Sequence, residues 1–357
     1  MRRLRARFAG SGISVPPRVV DNATLARVMD TSDEWVRERS GIETRRYVEA
    51  GVAASDLGAE AARAALADAG VEPGEVDYLV CATMTPDHYF PGCGTLVQHK
   101  IGMPPRPALD LRQQCAGFAY GLQVVDALIA AGVARTVLLV GCDVHTALMP
   151  YSEKTWAVIE GRDPGPVPPE DFAANSRLRH LLVLFGDGAG AMVFRASDAD
   201  DGRGILAAAL YGDGNHKEIL YVPGLGSGRR PFVTAAAIAA SVTFPVMEGR
   251  QVYKLAVTRM PEVTREVLEK QHLTLDDLDL LVMHQANLRI NEAAQKHLGL
   301  PDARVHNNIQ KYGNTTSATL PLAFHEARGL GKAPAGALVA FTALGAGLHW
   351  GSVLLRV

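Results

Sequence analysis

Apolar and polar positions follow one pattern along this chain, and the pattern occurs twice. Residues Ala61 to Val80, AARAALADAGVEPGEVDYLV, align without a gap against Val263 to Val282, VTREVLEKQHLTLDDLDLLV. Arg63 meets Arg265, Leu66 meets Leu268, Asp77 meets Asp279 and Val80 meets Val282. Both copies predict an amphipathic helix, a short polar turn and a buried strand. The register continues downstream. After Cys115, a stripe of Phe118, Leu122, Val125 and Ile129 predicts a helix that stops at Gly132 and leads into the apolar run Arg135 to Gly141. Its counterpart runs from Ser317 to Leu330 and leads into Ala337 to Phe341. Glycine-rich segments also pair, FGDGAGAMVF from Phe185 with LGAGLHWGSVLL from Leu344. Helices alternating with apolar strands predict layered α/β structure, and the duplication predicts a pseudo-twofold molecule with a site where its halves meet. The first half spans 1–195 and the second 196–357. One segment breaks the order: Met149 to His180 holds five prolines and mixed charge, and reads as an insertion that is either a cap or a passive surface loop.

Composition narrows the functional classes. Hydrophobic residues make up 48 % and charged residues 21 %, the balance of an ordinary globular protein. No apolar run reaches the roughly 18 to 20 residues that span a bilayer, and the basic start MRRLRARFAG is not followed by a signal-peptide core. A net charge of −2 gives no support for a nucleic-acid partner. The cysteines Cys81, Cys93, Cys115 and Cys142 include no CxxC pair, so neither a disulfide framework nor a metal site is expected. A reducing, cytoplasmic setting follows from that usage.

Three polar residues stand at places where this architecture puts chemistry. Cys115 opens a predicted helix, where the helix dipole and free N–H groups favour a thiolate; a buried, inert cysteine is the competing reading. His284 follows the second buried strand, at the strand end where α/β sheets carry working residues. Asn314 precedes the helix that mirrors the Cys115 helix, and on its own it reads equally as a cap or turn residue. The internal symmetry makes the two helix starts face each other, so Cys115 and Asn314 should converge on one pocket from opposite halves.

With these positions in place, the sequence resembles the β-ketoacyl-ACP synthase III family, of thiolase fold, over almost its whole length. TSDEWVRERSGIETRR from Thr31, the cysteine helix, FGDGAGA, HQANLR, YGNTTSA and LGAGLHWG fall in the family's order. The resemblance implies duplicated βαβαβαββ halves in a five-layer αβαβα arrangement, with the glycines of GDGAG as a strand-to-strand turn and not a phosphate loop. It implies that Cys115 accepts an acyl group from a thioester. His284 and Asn314 then hold the carbonyl of a malonyl-type thioester as it loses CO2, and the carbanion attacks the acyl group on Cys115. Two neutral N–H donors can stabilise a developing enolate in a dry site, and a covalent intermediate divides one hard step into two. The backbone N–H of Cys115, with one from the Gly345–Ala346–Gly347 turn after Leu344, would hold the acyl-transfer oxyanion. Trp35 and Arg39 match positions that sandwich the adenine of CoA, and Asn287 a position by the pantetheine arm. Gly249 and Tyr253 match the entrance. Lys254, Arg289 and Lys296 match a basic rim for acyl carrier protein, and Phe90 a residue that reaches into a partner subunit, which implies a homodimer. No resident cofactor is implied, since CoA and phosphopantetheine thioesters enter as substrates.

Departures from the family pattern cluster around the acyl and entrance regions. Ala346 stands in a turn that is usually all glycine, and it would be strained if the position needs positive φ. Gln113 and Gln114 replace smaller residues, Ser227 to Ala240 is atypical, and the 149–180 segment is extra. Two other activities suit the same scaffold. One is joining of two acyl or β-ketoacyl chains, for which Asp87 and His88 are the polar candidates near Phe90. The other is acyl transfer to a hydroxyl or amine, against which Asn314 argues.

Overall fold

The computed structural model describes residues 4–199 and 201–357. It contains two five-stranded mixed sheets of identical order. The first runs Arg5–Ser14, Gly188–Ser197, Thr136–Asp143, Tyr78–Ala82, Ala108–Leu111; the second runs Gly204–Gly212, His349–Arg356, Leu338–Gly345, Leu280–Met283, Val305–His306. In each, the fourth strand is parallel to both neighbours and the first two pairings are antiparallel. The sequence repeat is thus a structural one, at a constant offset of 202 positions (Asp77 to Asp279) across its conserved stretch. Both aspartates do the same work. Asp77 accepts the Thr136 N–H at 3.0 Å and Asp279 the Leu338 N–H at 2.7 Å, each tying a turn to the strand beside it.

Two helices, Gly117–Ala130 and Thr319–Gly329, lie between the sheets. The stripe Phe118, Leu122, Val125 and Ile129 meets Leu320, Phe324 and the inner faces of both sheets in one buried core. Helix Ala54–Ala69 covers the outer face of the first sheet, and helices Gly249–Glu269 and Leu288–Leu298 cover that of the second. The result is the five-layer thiolase arrangement. The GDGAG segment corrects one expectation: it opens the strand Gly188–Ser197 and is not a turn between strands. Its glycines allow close approach, since a Cβ on Gly190 would stand 2.7 Å from the Pro321 side chain of the central helix.

The 149–180 segment is a folded cap. Helices Glu153–Ile159 and Pro169–Leu182 share a fourth core with Val28, Met29, Val36 and Phe185, and Asn175 donates to the Val28 carbonyl at 3.0 Å. Arg45, fully buried, clamps this corner through Asn22 and the Val20 and Val183 carbonyls. Among the described residues no helix is long and apolar enough to cross a membrane.

Candidate active site

Cys115 sits in the 3-10 turn Gln114–Ala116, immediately before the central helix Gly117–Ala130 and not at that helix's first turn. Gln114, which opens this turn, takes a positive φ of 51°. The expected thiolate is also corrected. Burial, and secondarily the charge of Asp143, push the Cys115 thiol up to about 12, against a smaller downward pull from the Cys115 and Ala346 backbone N–H groups. At neutral pH the free residue is therefore a thiol, with two N–H groups already directed at its sulfur. The feared strain at Ala346 is absent, because the positive φ of this turn, 139°, falls on Gly347. Gly345 is required for space: a Cβ there would lie 2.9 Å from the Cys115 nitrogen and 3.0 Å from that of Ala116.

His284 follows the strand Leu280–Met283, and its N–H donates to the Thr342 carbonyl at 2.9 Å. Its Nδ1 is 2.7 Å from the Thr319 hydroxyl. Its Nε2 is buried and has no partner among the described residues. Burial, with a smaller contribution from His145, pushes the ring down to about 3, so it is neutral throughout the physiological range. Asn314 is fixed at both backbone ends, donating to the Leu184 carbonyl at 2.8 Å and accepting the Gly186 N–H at 3.1 Å. Its Oδ1 accepts the Thr316 N–H at 2.9 Å, which leaves the NH2 end as the free donor.

These three side chains border one cavity of about 1070 Å³. Gly249, Tyr253, Asn287, Arg289, Leu344, Gly345 and Gly347 line it as well, as do Arg112, Lys217 and Arg250, whose charges the sequence had not marked. Trp35 and Arg39 lie outside the lining, stacked with the guanidinium 4.5 Å from the ring centroid. Asn287 caps helix Leu288–Leu298 and donates to the Arg39 carbonyl at 2.8 Å, which links that pair to the cavity wall. Lys254, Arg289 and Lys296 are exposed on two packed helices, Gly249–Glu269 and Leu288–Leu298. Phe90 is 80 % exposed and does not line this chain's cavity; its neighbour Tyr89 does, and packs on Phe232 of the atypical 227–240 segment.

Two features were invisible in the motifs. Arg179, from the cap, also lies over Trp35, 4.7 Å from the ring centroid, so the cap supplies part of the surface beside the cavity. The fold also gathers Cys81, Cys93 and Cys142, with Cys142 Sγ 3.8 Å from each of the other two. All three are buried in the core on the outer face of the first sheet, and none borders the cavity.

Comparison with known proteins agrees with this fold. The family model for 3-oxoacyl-[acyl-carrier-protein] synthase III matches residues 109–162, and the model for its C-terminal part matches 268–357. The β-ketoacyl-[acyl-carrier-protein] synthase III of Rhodospirillum rubrum is 41 % identical, with 99 % of each chain covered. The 3-oxoacyl-[acyl-carrier-protein] synthase III of Aquifex aeolicus superposes with a TM-score of 0.83 at 35 % identity, covering 99 % of this chain and 100 % of that one. The priming β-ketosynthase of the R1128 polyketide pathway gives the same TM-score at 31 % identity, covering 100 % and 97 %. The chain belongs to the β-ketoacyl-ACP synthase III family.

Proposed function

We propose that this protein is a condensing acyltransferase that makes a β-ketoacyl thioester in two half-reactions. The carrying observation is the convergence of a thiol, an unpartnered neutral imidazole nitrogen and a fixed amide donor on one cavity. In the first half, the sulfur of Cys115 attacks an acyl thioester, the carbonyl oxygen gathers charge beside the Cys115 and Ala346 N–H groups, and the departing thiol takes a proton. In the second, a malonyl thioester binds with its thioester oxygen between His284 Nε2 and Asn314 Nδ2. Its carboxylate leaves as CO2, and the bond's electron pair becomes an enolate held by these two donors. The enolate carbon attacks the acyl carbonyl, the C–S bond to Cys115 breaks, and the sulfur recovers a proton. Preorganised donors in a water-poor site supply most of the acceleration.

The mouth fits a charged thioester arm. Trp35, with the Arg39 and Arg179 guanidinium groups beside its ring, offers a stacking platform for a purine, and Arg112, Lys217 and Arg250 offer charge for phosphates. Lys254, Arg289 and Lys296 are the docking surface assigned to an acidic carrier protein, and Phe90 is assigned to the cavity of a second subunit. Intact-protein mass spectrometry with acyl-CoAs from acetyl to myristoyl tests the reading. An acyl mass gain that Cys115→Ser abolishes, followed by a β-ketoacyl product on adding a malonyl thioester, is expected. Acylation followed by product without CO2 release would instead favour non-decarboxylative chain joining.

A further inference from the structure

A neutral imidazole carries one N–H, and which nitrogen bears it depends on the partner of the other nitrogen. His145 shows the rigid case. Its Nδ1 lies 2.9 Å from the Gly186 carbonyl, which can only accept, so Nδ1 is fixed as a donor, while Nε2 lies 2.5 Å from the Thr316 hydroxyl. His284 is different, because its Nδ1 faces a hydroxyl, which can donate or accept. The Thr319 hydroxyl has one proton and two acceptors in reach, His284 Nδ1 at 2.7 Å and the Thr316 carbonyl at 2.8 Å. When the proton points to the carbonyl, Nδ1 must carry the ring proton and Nε2 faces the cavity bare. When it points to Nδ1, the ring proton is on Nε2, facing the cavity as a donor. The Thr316 carbonyl tolerates the second arrangement because it also accepts the Thr319 backbone N–H.

We infer that Thr319 is a positioning residue whose hydroxyl, by donating to His284 Nδ1, places the ring proton on Nε2 for the condensation half-reaction. The inference rests on the proposed decarboxylative reading, in which Nε2 must donate to an enolate oxygen. Thr319 itself is fully buried and outside the cavity lining, so it acts only through the ring. An enolate offered a bare Nε2 would meet a lone pair instead of a proton. Acylation of Cys115 makes no such demand, because its oxyanion is held by backbone N–H groups.

Thr319→Val keeps the shape and removes the hydroxyl; Thr319→Ser keeps the hydroxyl. Self-acylation by an acyl-CoA and malonyl decarboxylation are measured separately on both variants. Thr319→Val is expected to acylate within about twofold of the parent and to lose at least about tenfold in decarboxylation, since the ring loses the one hydrogen bond that fixes its tautomer and orientation and a misplaced proton is costly to catalysis; Thr319→Ser restores it. Equal losses in both half-reactions would assign Thr319 to structure and overturn the inference, as would unchanged decarboxylation in Thr319→Val. Long-range ¹H–¹⁵N spectra of the acylated parent protein, with His284 assigned by comparison with His284→Asn, give a second readout that needs no Thr319 variant. A proton on Nε2 is expected, and one on Nδ1 overturns the inference. A parent protein that acylates and then fails to decarboxylate any malonyl thioester would sink the functional reading itself, an outcome distinct from a Thr319 variant matching an active parent.

Discussion

The 3-10 turns Gln114–Ala116 and Thr316–Ala318 are copies of one device put to different uses. They stand 202 positions apart (Cys115 to Ser317), each begins on a residue with φ of 51°, and each feeds a central helix. The strand end facing them differs. In one copy the carboxylate of Asp143 accepts both the backbone N–H of Ser317, at 3.0 Å, and its hydroxyl, at 2.6 Å. The residue 202 positions after Asp143 is Gly345, and it faces Cys115 with no side chain. One turn is locked by a carboxylate that reaches across the pseudo-twofold. The other has no carboxylate to accept its N–H, as the proposed role of that N–H at a substrate oxygen requires. On the proposed reading, a binding site for a developing anion arises from a lock with its acceptor removed.

The comparison breaks most sharply at Gly345. Gly345→Ala would push a methyl against the backbone nitrogens of Cys115 and Ala116, which cannot give way as a flexible side chain could. Self-acylation, read as acyl mass gain, should fall about a hundredfold or more, the usual loss for one oxyanion donor. A rate equal to the parent's would remove the Cys115 N–H from the acyl-transfer site. Asn314→Ala acts on the second half-reaction alone. Acylation should survive, while CO2 release from a malonyl thioester drops about a hundredfold, again one donor's worth; the reverse pattern would mean the two roles are exchanged.

The pH dependence sharpens the chemical state of the two turns. The Cys115 thiol is pushed up to about 12 by burial, so its thiolate fraction grows about tenfold per pH unit below that value. Iodoacetamide labelling of Cys115 should therefore climb steadily from pH 6 to 10, and a plateau near pH 8 would show an activated thiol instead. Cys115 should still be labelled before Cys81, Cys93 and Cys142, because it alone among the four borders the cavity.

Periodicity exposed what is local and repeated. The stripe from Phe118 to Ile129, the aspartate turns and the position of His284 at a strand end all follow from spacing, and each occupies its expected place. The order of motifs picked out Cys115, His284 and Asn314, which border one cavity. Spacing could not show the protonation of Cys115, because that depends on how deeply its turn is packed. It could not show Arg179 beside Trp35, because the cap folds back over residues nearly 150 positions earlier, with Arg179 also pairing with Asp30. Nor could it show that Cys81, Cys93 and Cys142 meet, since two neighbouring strands and a helix start bring them together. Thr319 reads as an ordinary helix-start residue until its distance to His284 is known.

The smallest expected effect lies at Ser317, and it separates lock from catalyst. Ser317→Ala removes one hydroxyl from a carboxylate that keeps other donors: the Ser317, Met84 and Thr85 N–H groups and the Thr83 and Thr85 hydroxyls. A buried hydrogen bond to a charged group contributes about 1.5–3 kcal/mol, and this redundancy places the loss toward the lower end. Denaturant titration should show that loss with acylation of Cys115 unchanged. Cys115→Ala should do the opposite, abolishing acylation with little change in stability, because its thiol engages nothing stronger than the Cys115 and Ala346 N–H groups. If Ser317→Ala instead slowed acylation while leaving stability intact, the second turn would be part of the chemistry, and the division of labour between the halves would have to be redrawn.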